Sequence, residues 1–269
     1  MNYSFDAKEA AITIKRFITG KLNLSGLDGF VVGLSGGIDS ALSATLAVGA
    51  VGPEKVLAVL MPYRTSSENS VVDALELVKK LGIASRKVDI SPMVDAYYET
   101  VDRADEIRRG NKMARERMSI LFDIAHEMNR LVLGTGNRTE ICLGYTTWFG
   151  DAACSINPIG ELYKTEVRRL SAELGVPESI ISKPPSADLW IGQTDEQEIG
   201  LTYERMDKLL GRLIDDGEKS MSKLESEGFE TAEISRVVSL LTRYAFKRHT
   251  PEIAPIGRTA VPDQIQLEE

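Results

Sequence analysis

The stretch Gly29-Phe30-Val31-Val32-Gly33-Leu34-Ser35-Gly36-Gly37-Ile38-Asp39-Ser40 decides the fold. Phe30 to Val32 is an apolar, strand-forming run that ends in a loop of small residues. An Ala- and Leu-rich helical run, Ala41 to Val48, follows at once. This strand–loop–helix order brings backbone N–H groups and a helix N-terminus to one point, where an anion is favoured. Gly36 and Gly37 allow backbone angles and a close ligand approach that a side chain would block. Ser35 and Ser40 add hydroxyl donors, and Asp39 adds a carboxylate suited to Mg²⁺ rather than to phosphate. The loop is not GxxxxGK[ST], because the lysine of that motif is missing. The competing reading is an ordinary βα turn, in which glycines make the corner and a serine caps the helix.

Outward from that stretch the pattern repeats. Residues 7–24 read as an amphipathic helix with Ala11, Ile12, Ile14, Phe17 and Ile18 on its apolar positions. Lys55 to Pro62 reads as a second strand buried on both faces, Glu68 to Leu81 as a helix, and Arg86 to Ile90 as a third strand. Residues 105–129 place Ala114, Met118, Leu121, Phe122 and Ala125 on one helical stripe, and Leu131 to Gly134 is a fourth strand. Further helices are expected over 158–174, closed near Gly175 and Pro177, and over about 199–214 and 230–247. Lys183 to Asp188, with two prolines, reads as a rigid extended segment. Strands alternating with helices imply a parallel, doubly wound sheet with right-handed crossovers. A ligand then belongs at the carboxyl ends of the strands, where Ser35 to Ser40 lies.

Bulk properties narrow the class. The 269 residues are enough for one large α/β domain, expected over 1–255, with a tail over 256–269 poorly ordered at its tip. Lys and Arg number 32 against 40 Asp and Glu, a formal charge of −8, which argues against general nucleic-acid binding. No apolar run approaches the ~20 residues of a membrane span, and Met1 to Asp6 lacks the pattern of a secretory leader, so a cytoplasmic protein with no membrane partner is expected. Cys142 and Cys154 form no CxxC pair, and with only His126 and His249 a His-rich metal site is not expected.

The string Ser35-Gly-Gly-Ile-Asp-Ser40 resembles the pyrophosphate-binding loop of the N-type ATP pyrophosphatases, which split ATP into AMP and pyrophosphate while activating a substrate. Several later segments choose among them. Arg108, Arg109, Lys112, Arg115 and Arg117 supply the local positive field that the net charge lacks. Then come Gly134-Thr-Gly-Asn-Arg-Thr-Glu140, Leu143 to Asp151, Ile156 to Arg168, Lys183 to Trp190 and Gly192 to Glu196. This ordered set, from about residue 8 to 255, resembles the NAD synthetase family. The resemblance implies an adenine nucleotide alpha-hydrolase-like, Rossmann-like fold. Its expected form is a doubly wound parallel five-stranded sheet with helices on both faces. It also implies a Mg²⁺-dependent ligase converting deamido-NAD, ATP and ammonia into NAD, AMP and pyrophosphate, and a homodimer whose substrate site draws on both subunits.

The same resemblance assigns residues. Gly33, Leu34, Ser35, Gly36, Gly37, Ile38, Asp39 and Ser40 would hold the ATP phosphates, with Thr135, Lys164, Ser186 and the backbone of Leu60 as further ATP contacts. Asp39 and Glu140 would hold Mg²⁺, Arg115 and Lys247 would bind deamido-NAD, and Asp151 would accept the proton that ammonium must lose. Lys164, as a fixed cation, would stabilise the charge that develops at the reacting phosphate. At three further substrate positions the chain departs from many family members. Trp148 stands where they have Lys, Ser155 where they have Asp, and Phe246 where they have His. Ala152-Ala153 likewise replaces a Gly-Gly pair. Neither cysteine is expected to act as a glutaminase nucleophile, so the nitrogen source should be ammonia itself, or ammonia delivered by a separate protein. The nearest rival is the same chemistry on nicotinate mononucleotide. Wider rivals are a GMP synthetase ATPase domain, a tRNA-thiolating enzyme and a non-catalytic nucleotide sensor.

Overall fold

The computed structural model describes residues 5–101, 103, 105–186, 194–251, 253, 254 and 256. Segment 187–193, which takes in the end of the extended segment expected over 183–188, and the tail from 257, where a loosely ordered tip was expected, lie outside the described residues. Four strands, β1 (Gly29–Gly33), β2 (Val56–Leu60), β3 (Ala84–Lys87) and β4 (Arg130–Leu133), form one sheet in the order β3-β2-β1-β4. Every pairing is parallel, with Val31 opposite both Leu57 and Val132. The helices are α1 (Ala7–Ser25), α2 (Ile38–Val51), α3 (Glu68–Leu81), α4 (Ser91–Tyr98), α5 (Glu106–Glu127) and α6 (Arg138–Leu143). After them come α7 (Lys164–Glu173), α8 (Glu178–Ile181), α9 (Asp195–Ile199), α10 (Tyr203–Leu210), α11 (Met221–Ser226) and α12 (Thr231–Arg243).

The two central strands, β1 and β2, are continuous apolar runs because both faces are covered, whereas the edge strand β3 is polar and largely exposed. Phe30, Val32, Ala58 and Leu60 pack with Ile18 of α1, Leu42 and Leu46 of α2, and Val167 and Leu170 of α7. Val31, Val59 and Val132 point the other way, onto Val94 of α4 and Met113, Ile124 and Ala125 of α5. The period-2 alternation of strand side chains thus feeds two cores at once. A third core lies away from the sheet, where Leu143 of α6, Tyr203, Met206 and Leu209 of α10, and Ile234 and Val237 of α12 bury one another.

Among the described residues the sheet has four strands rather than the expected five. The fifth position holds one isolated parallel bridge, Leu133 to Ile156, in which Gly134 N–H donates to Ile156 O at 2.7 Å. The ladder stops there because Asn157 turns its side-chain amide onto Gly136 O at 2.9 Å, and Pro158 has no N–H to continue it. The third strand ends at Lys87 rather than Ile90. Asp89 accepts bonds from the backbone N–H and hydroxyl of Ser91 and bends the chain into α4. The helix expected over 158–174 begins only at Lys164, because Ile159 to Leu162 form a turn and Tyr163 is the capping residue, its N–H held by Glu166. The helix expected from 199 is divided, since Gly200 at φ +86° ends α9 before α10 begins.

Candidate active site

The glycine loop is knitted together before any ligand arrives. Leu34 N–H still donates to β2, at Val59 O, and the chain then leaves the sheet. Gly37 N–H donates to Ser35 Oγ, Ser35 N–H to Ser40 Oγ, and Ser40 Oγ to Gly37 O, at 3.2, 3.2 and 3.0 Å. Gly36 sits at φ +78°, and a Cβ there would meet Ser70 O at 2.2 Å, so no other residue fits. Gly37 then caps the fourteen-residue α2, whose N-terminus faces the space above the sheet.

That space is a cavity of about 350 Å³ at the carboxyl ends of the strands. It is lined by Gly33, Leu34, Ser35, Gly36, Gly37, Ile38, Asp39 and Ser40, together with Leu60, Thr135, Glu140, Asp151, Lys164 and Ser186. Residues as distant in sequence as Gly33 and Ser186 meet here, and β1, β2 and β4 end side by side beneath them. The Leu60 carbonyl already accepts Val88 N–H at 2.8 Å.

At the floor of the cavity lies a buried charge cluster. Asn137, fully buried, caps α6 and donates its side-chain amide to Asp39 Oδ1 at 2.9 Å, while its own N–H donates to Glu140 Oε2 at 3.2 Å. One asparagine therefore aligns both carboxylates. Lys164, the first residue of α7 and 2% exposed, donates to Asp39 Oδ2 and lies 3.6 Å from Glu140 Oε1. Burial alone would lower its pKa, but the two carboxylates outweigh it and the ammonium is held more firmly than usual. Burial and then the neighbouring Asp39 push Glu140 up to about 8. Asp195 adds a third carboxyl, 4% exposed, accepting from Tyr203 Oη at 2.9 Å, its pKa also raised by burial. A cation beside Asp39 and Glu140 would relieve the repulsion that helps to raise Glu140. Among the described residues no group of three or more metal-ligating side chains converges. A carboxylate pair is nevertheless the usual protein share for Mg²⁺, which takes its other oxygens from water and phosphate.

Asp151 lies at the cavity's edge in the loop after α6. Its residue surface is open to solvent, yet protein surrounding the carboxyl raises its pKa by desolvation. The Thr147 N–H, which donates to Asp151 Oδ1 at 2.6 Å, pulls the other way.

The remaining candidates do not line the cavity. Arg115 donates to Trp148 O at 3.3 Å, and Lys247 donates to Gly144 O and Thr146 O at 2.8 and 2.6 Å. Trp148 stacks on Phe149 with ring centroids 4.4 Å apart and meets Phe246 edge-on at 5.2 Å. These four therefore gather around the 144–149 loop, beside the cavity rather than in it. Ser155 stands apart: its Oγ accepts Val132 N–H at 3.0 Å on the sheet edge.

Two cavity cations carry no binding role in the sequence reading above. Arg117 lines it and donates from Nε to Met61 O at 3.1 Å, and Lys183 lines it while bonded to Ser70 and Asp73. A signal for Arg117 existed. Ala114, Arg117, Met118 and Leu121 all line the cavity, so Arg117 falls on the apolar stripe of α5, whereas the other cations of that run do not. Lys112 pairs with Glu116, and Arg109 lies 4.4 Å over the Tyr98 ring. Cys142 is buried and Cys154 half-buried, and burial raises both thiols.

A glycine loop beside a lysine between two carboxylates, all on one sheet end, is the context in which relatives become informative. The sequence profile of NAD synthase matches residues 11–251. The chain belongs to the NAD synthase family. A relative named NH(3)-dependent NAD(+) synthetase, from Fusobacterium nucleatum subsp. nucleatum, is 48% identical over 93% of this chain and 97% of its own. The solved NH3-dependent NAD synthetase from Campylobacter jejuni subsp. jejuni, in complex with nitrate ion, is 35% identical. It superposes with a TM-score of 0.80 over 93% of this chain and 100% of that one. An NMN synthetase from Francisella tularensis is also 35% identical, with a TM-score of 0.83 over 93% and 99%. The family's Rossmann-like α/β architecture is the one described above. No helix among the described residues is long and apolar enough to cross a membrane.

Proposed function

We propose that the chain is an ammonia-dependent NAD synthetase, a ligase that forms a C–N bond at the nicotinate carboxyl of deamido-NAD and converts ATP to AMP and pyrophosphate. The observation that carries this reading is Lys164, buried between Asp39 and Glu140 beneath the glycine loop, in a chain whose relatives carry that name over nearly their whole length.

In the first half-reaction a carboxylate oxygen of deamido-NAD attacks the α-phosphorus of ATP, the α–β bridging P–O bond breaks, and pyrophosphate leaves. No base is needed, because the attacking group is already an anion. Charge grows on the phosphate oxygens. Lys164 and the N–H groups at the start of α2, Ile38 and Asp39, are the fixed donors that meet it, with Gly36, Ser35, Ser40, Thr135, Ser186 and the Leu60 backbone placing the nucleotide. Asp39 and Glu140 would hold Mg²⁺, which when bound neutralises phosphate charge and favours departure of pyrophosphate. In the second half-reaction ammonia attacks the acyl carbon, AMP leaves, and the nitrogen sheds a proton. Asp151, raised by desolvation and at the cavity's edge, is the acceptor at hand.

Arg115, Lys247, Trp148, Phe246 and, more distantly, Ser155 are the proposed deamido-NAD contacts. That four of them sit beside the cavity, with half-exposed Phe149 and Phe246, fits a homodimer in which a second subunit completes the pocket. The reading places this chemistry in one domain over 1–255. The dinucleotide is preferred to nicotinate mononucleotide because the curated relatives bearing the NAD name include some about half identical to this chain, against 35% for the NMN synthetase.

The test is product formation from ATP. AMP and NAD should appear in equal amounts with deamido-NAD and an ammonium salt, rising with pH as free ammonia rises. Almost none should form with purified glutamine, and kcat/KM should be higher for the dinucleotide acid than for the mononucleotide. AMP formed without the acid substrate, or glutamine serving equally well in ammonia-free buffer, would overturn the reading.

A further inference from the structure

Glu140 and Lys164 stand on different helices, and neither helix is anchored to the other by the chain between them. Each has two near neighbours in sequence with an outside partner. On α6 these are Arg138 and Thr139; at the start of α7 they are Tyr163 and Thr165. All four partners trace to one further element. Asp207 of α10, 6% exposed, accepts from Thr139 Oγ1 at 2.5 Å and from the Thr165 N–H at 2.8 Å. Asp215 accepts from the Arg138 guanidinium and, at 2.7 Å, from Tyr163 Oη. Each carboxylate therefore bridges the start of α6 to the start of α7 beside the Glu140–Lys164 pair. The helix starts also touch directly, since Lys164 N–H donates to Thr139 Oγ1 at 3.0 Å and Arg138 N–H to Leu162 O at 2.8 Å.

The backbone of the bridging element suits this task. In an unbroken α-helix residue 215 would lie about 80° around the axis from residue 207. Here α10 passes directly into a π-helical stretch, Gly211–Asp215. A π turn holds more residues, so each advances through a smaller angle, and Asp215 comes back toward the face of Asp207. Asp207 lies beyond the cavity lining and touches no reacting group, and burial raises its pKa. Burying a carboxylate costs free energy, and here it is offset by bonds to two N-terminal turns rather than by a cationic partner.

We propose that Asp207 and Asp215 form a two-point clamp of positioning residues, which sets the separation of Glu140 and Lys164 for the nucleotide step. The clamp rests on the functional reading given above. It predicts that loosening one point lowers the rate through Lys164 rather than through loss of the fold. At Asp207→Asn one donor keeps its oxygen while the other faces an amide NH₂. Thr139→Val removes the bridging hydroxyl at constant volume, and Thr139→Ser restores it.

The experiment is a double-mutant cycle on NAD formation with folded, full-length protein, folding being checked by circular dichroism and Tm. Asp207→Asn should lower kcat by about tenfold or more while the KM for ATP changes less, as expected when geometry is lost after binding. Thr139→Val should behave alike, and Thr139→Ser should stay near the parent rate. In a Lys164→Met background the added loss from Asp207→Asn should shrink to about threefold or less, because the group being positioned is gone. Losses that multiply in the double variant, or Asp207→Asn at the parent rate, would overturn the clamp while leaving the functional reading intact. Parent activity in Lys164→Met alone would instead overturn that reading. Should Asp207→Asn fail to fold, Thr139→Val carries the same cycle.

Discussion

The two halves of the candidate site are built differently. The half proposed to hold phosphate is a buried network: a self-bonded glycine loop, a fully buried asparagine aligning two carboxylates, and a lysine locked between them. The acid-substrate half is a surface arrangement, in which Arg115 and Lys247 hold backbone oxygens of the 144–149 loop and Trp148 leans on Phe149 and Phe246. The difference follows from what each must bind. A triphosphate demands N–H groups and charges placed to a fraction of an ångström, and only a rigid strand end with a buried network gives that. A flat ring and a second nucleotide can be held by stacking surfaces, and these can be completed by another subunit.

The sharpest way to break this comparison is to attack the phosphate half. Asp39→Asn and Glu140→Gln should each lower AMP release by on the order of 10²–10³-fold, with the fold intact by circular dichroism. Parent turnover at ordinary Mg²⁺ concentrations would remove the metal assignment. Next comes the border residue. Asp151→Asn should cost roughly 10²-fold in amide formation while pyrophosphate release driven by deamido-NAD survives better, so that adenylate accumulates or leaks. Single-turnover mixing that follows both products decides this. Equal falls in both steps would mean that Asp151 only fixes the loop through Thr147 N–H.

The acid-substrate half should respond more mildly. Trp148→Ala should raise the KM for deamido-NAD by about tenfold, the scale of a lost stacking contact, and leave the KM for ATP near the parent value. A change in the ATP constant instead would mean that the aromatic group supports the cavity from outside.

Much of the phosphate half was legible in the sequence because local chemistry dictates it. Gly36 is required at positive φ, Asp39 and Ser40 follow at fixed spacing, and the central strands β1 and β2 are uniformly apolar because they are covered on both faces. What could not be read was set by tertiary contacts. The fifth strand reduced to one bridge because Asn157 and Pro158 divert the chain, and α7 starts late because the Tyr163–Glu166 cap fixes its first turn. Asp207 and Asp215 look like ordinary surface carboxylates in a polar helix, and nothing in their spacing announces a π-helical turn or partners on α6 and α7. Arg117 looked like one of five similar cations, and only the helical stripe separates it from the others.

The smallest expected effect concerns acid. Glu140, Asp151, Glu166, Asp195 and Asp207 all have pKa values raised by burial. A carboxyl with a raised folded-state value binds a proton more readily folded than unfolded, so stability grows as pH falls through that value. For Glu140 the window runs from about 8 down toward the ordinary carboxylate range. The ligand-free protein should therefore show a Tm slightly higher near pH 6 than near pH 8, and Glu140→Gln should flatten the difference. A Tm lower at pH 6 than at pH 8 would contradict the desolvation of this cluster.

The central claim is that the nicotinate carboxylate attacks the α-phosphorus of ATP at the cavity beneath the glycine loop. Deamido-NAD labelled with ¹⁸O in that carboxylate tests it directly, because the attacking oxygen stays with the phosphate when ammonia displaces AMP. The account predicts one ¹⁸O in the AMP recovered by mass spectrometry and none in pyrophosphate. Label in pyrophosphate, or AMP formed without label, would contradict it.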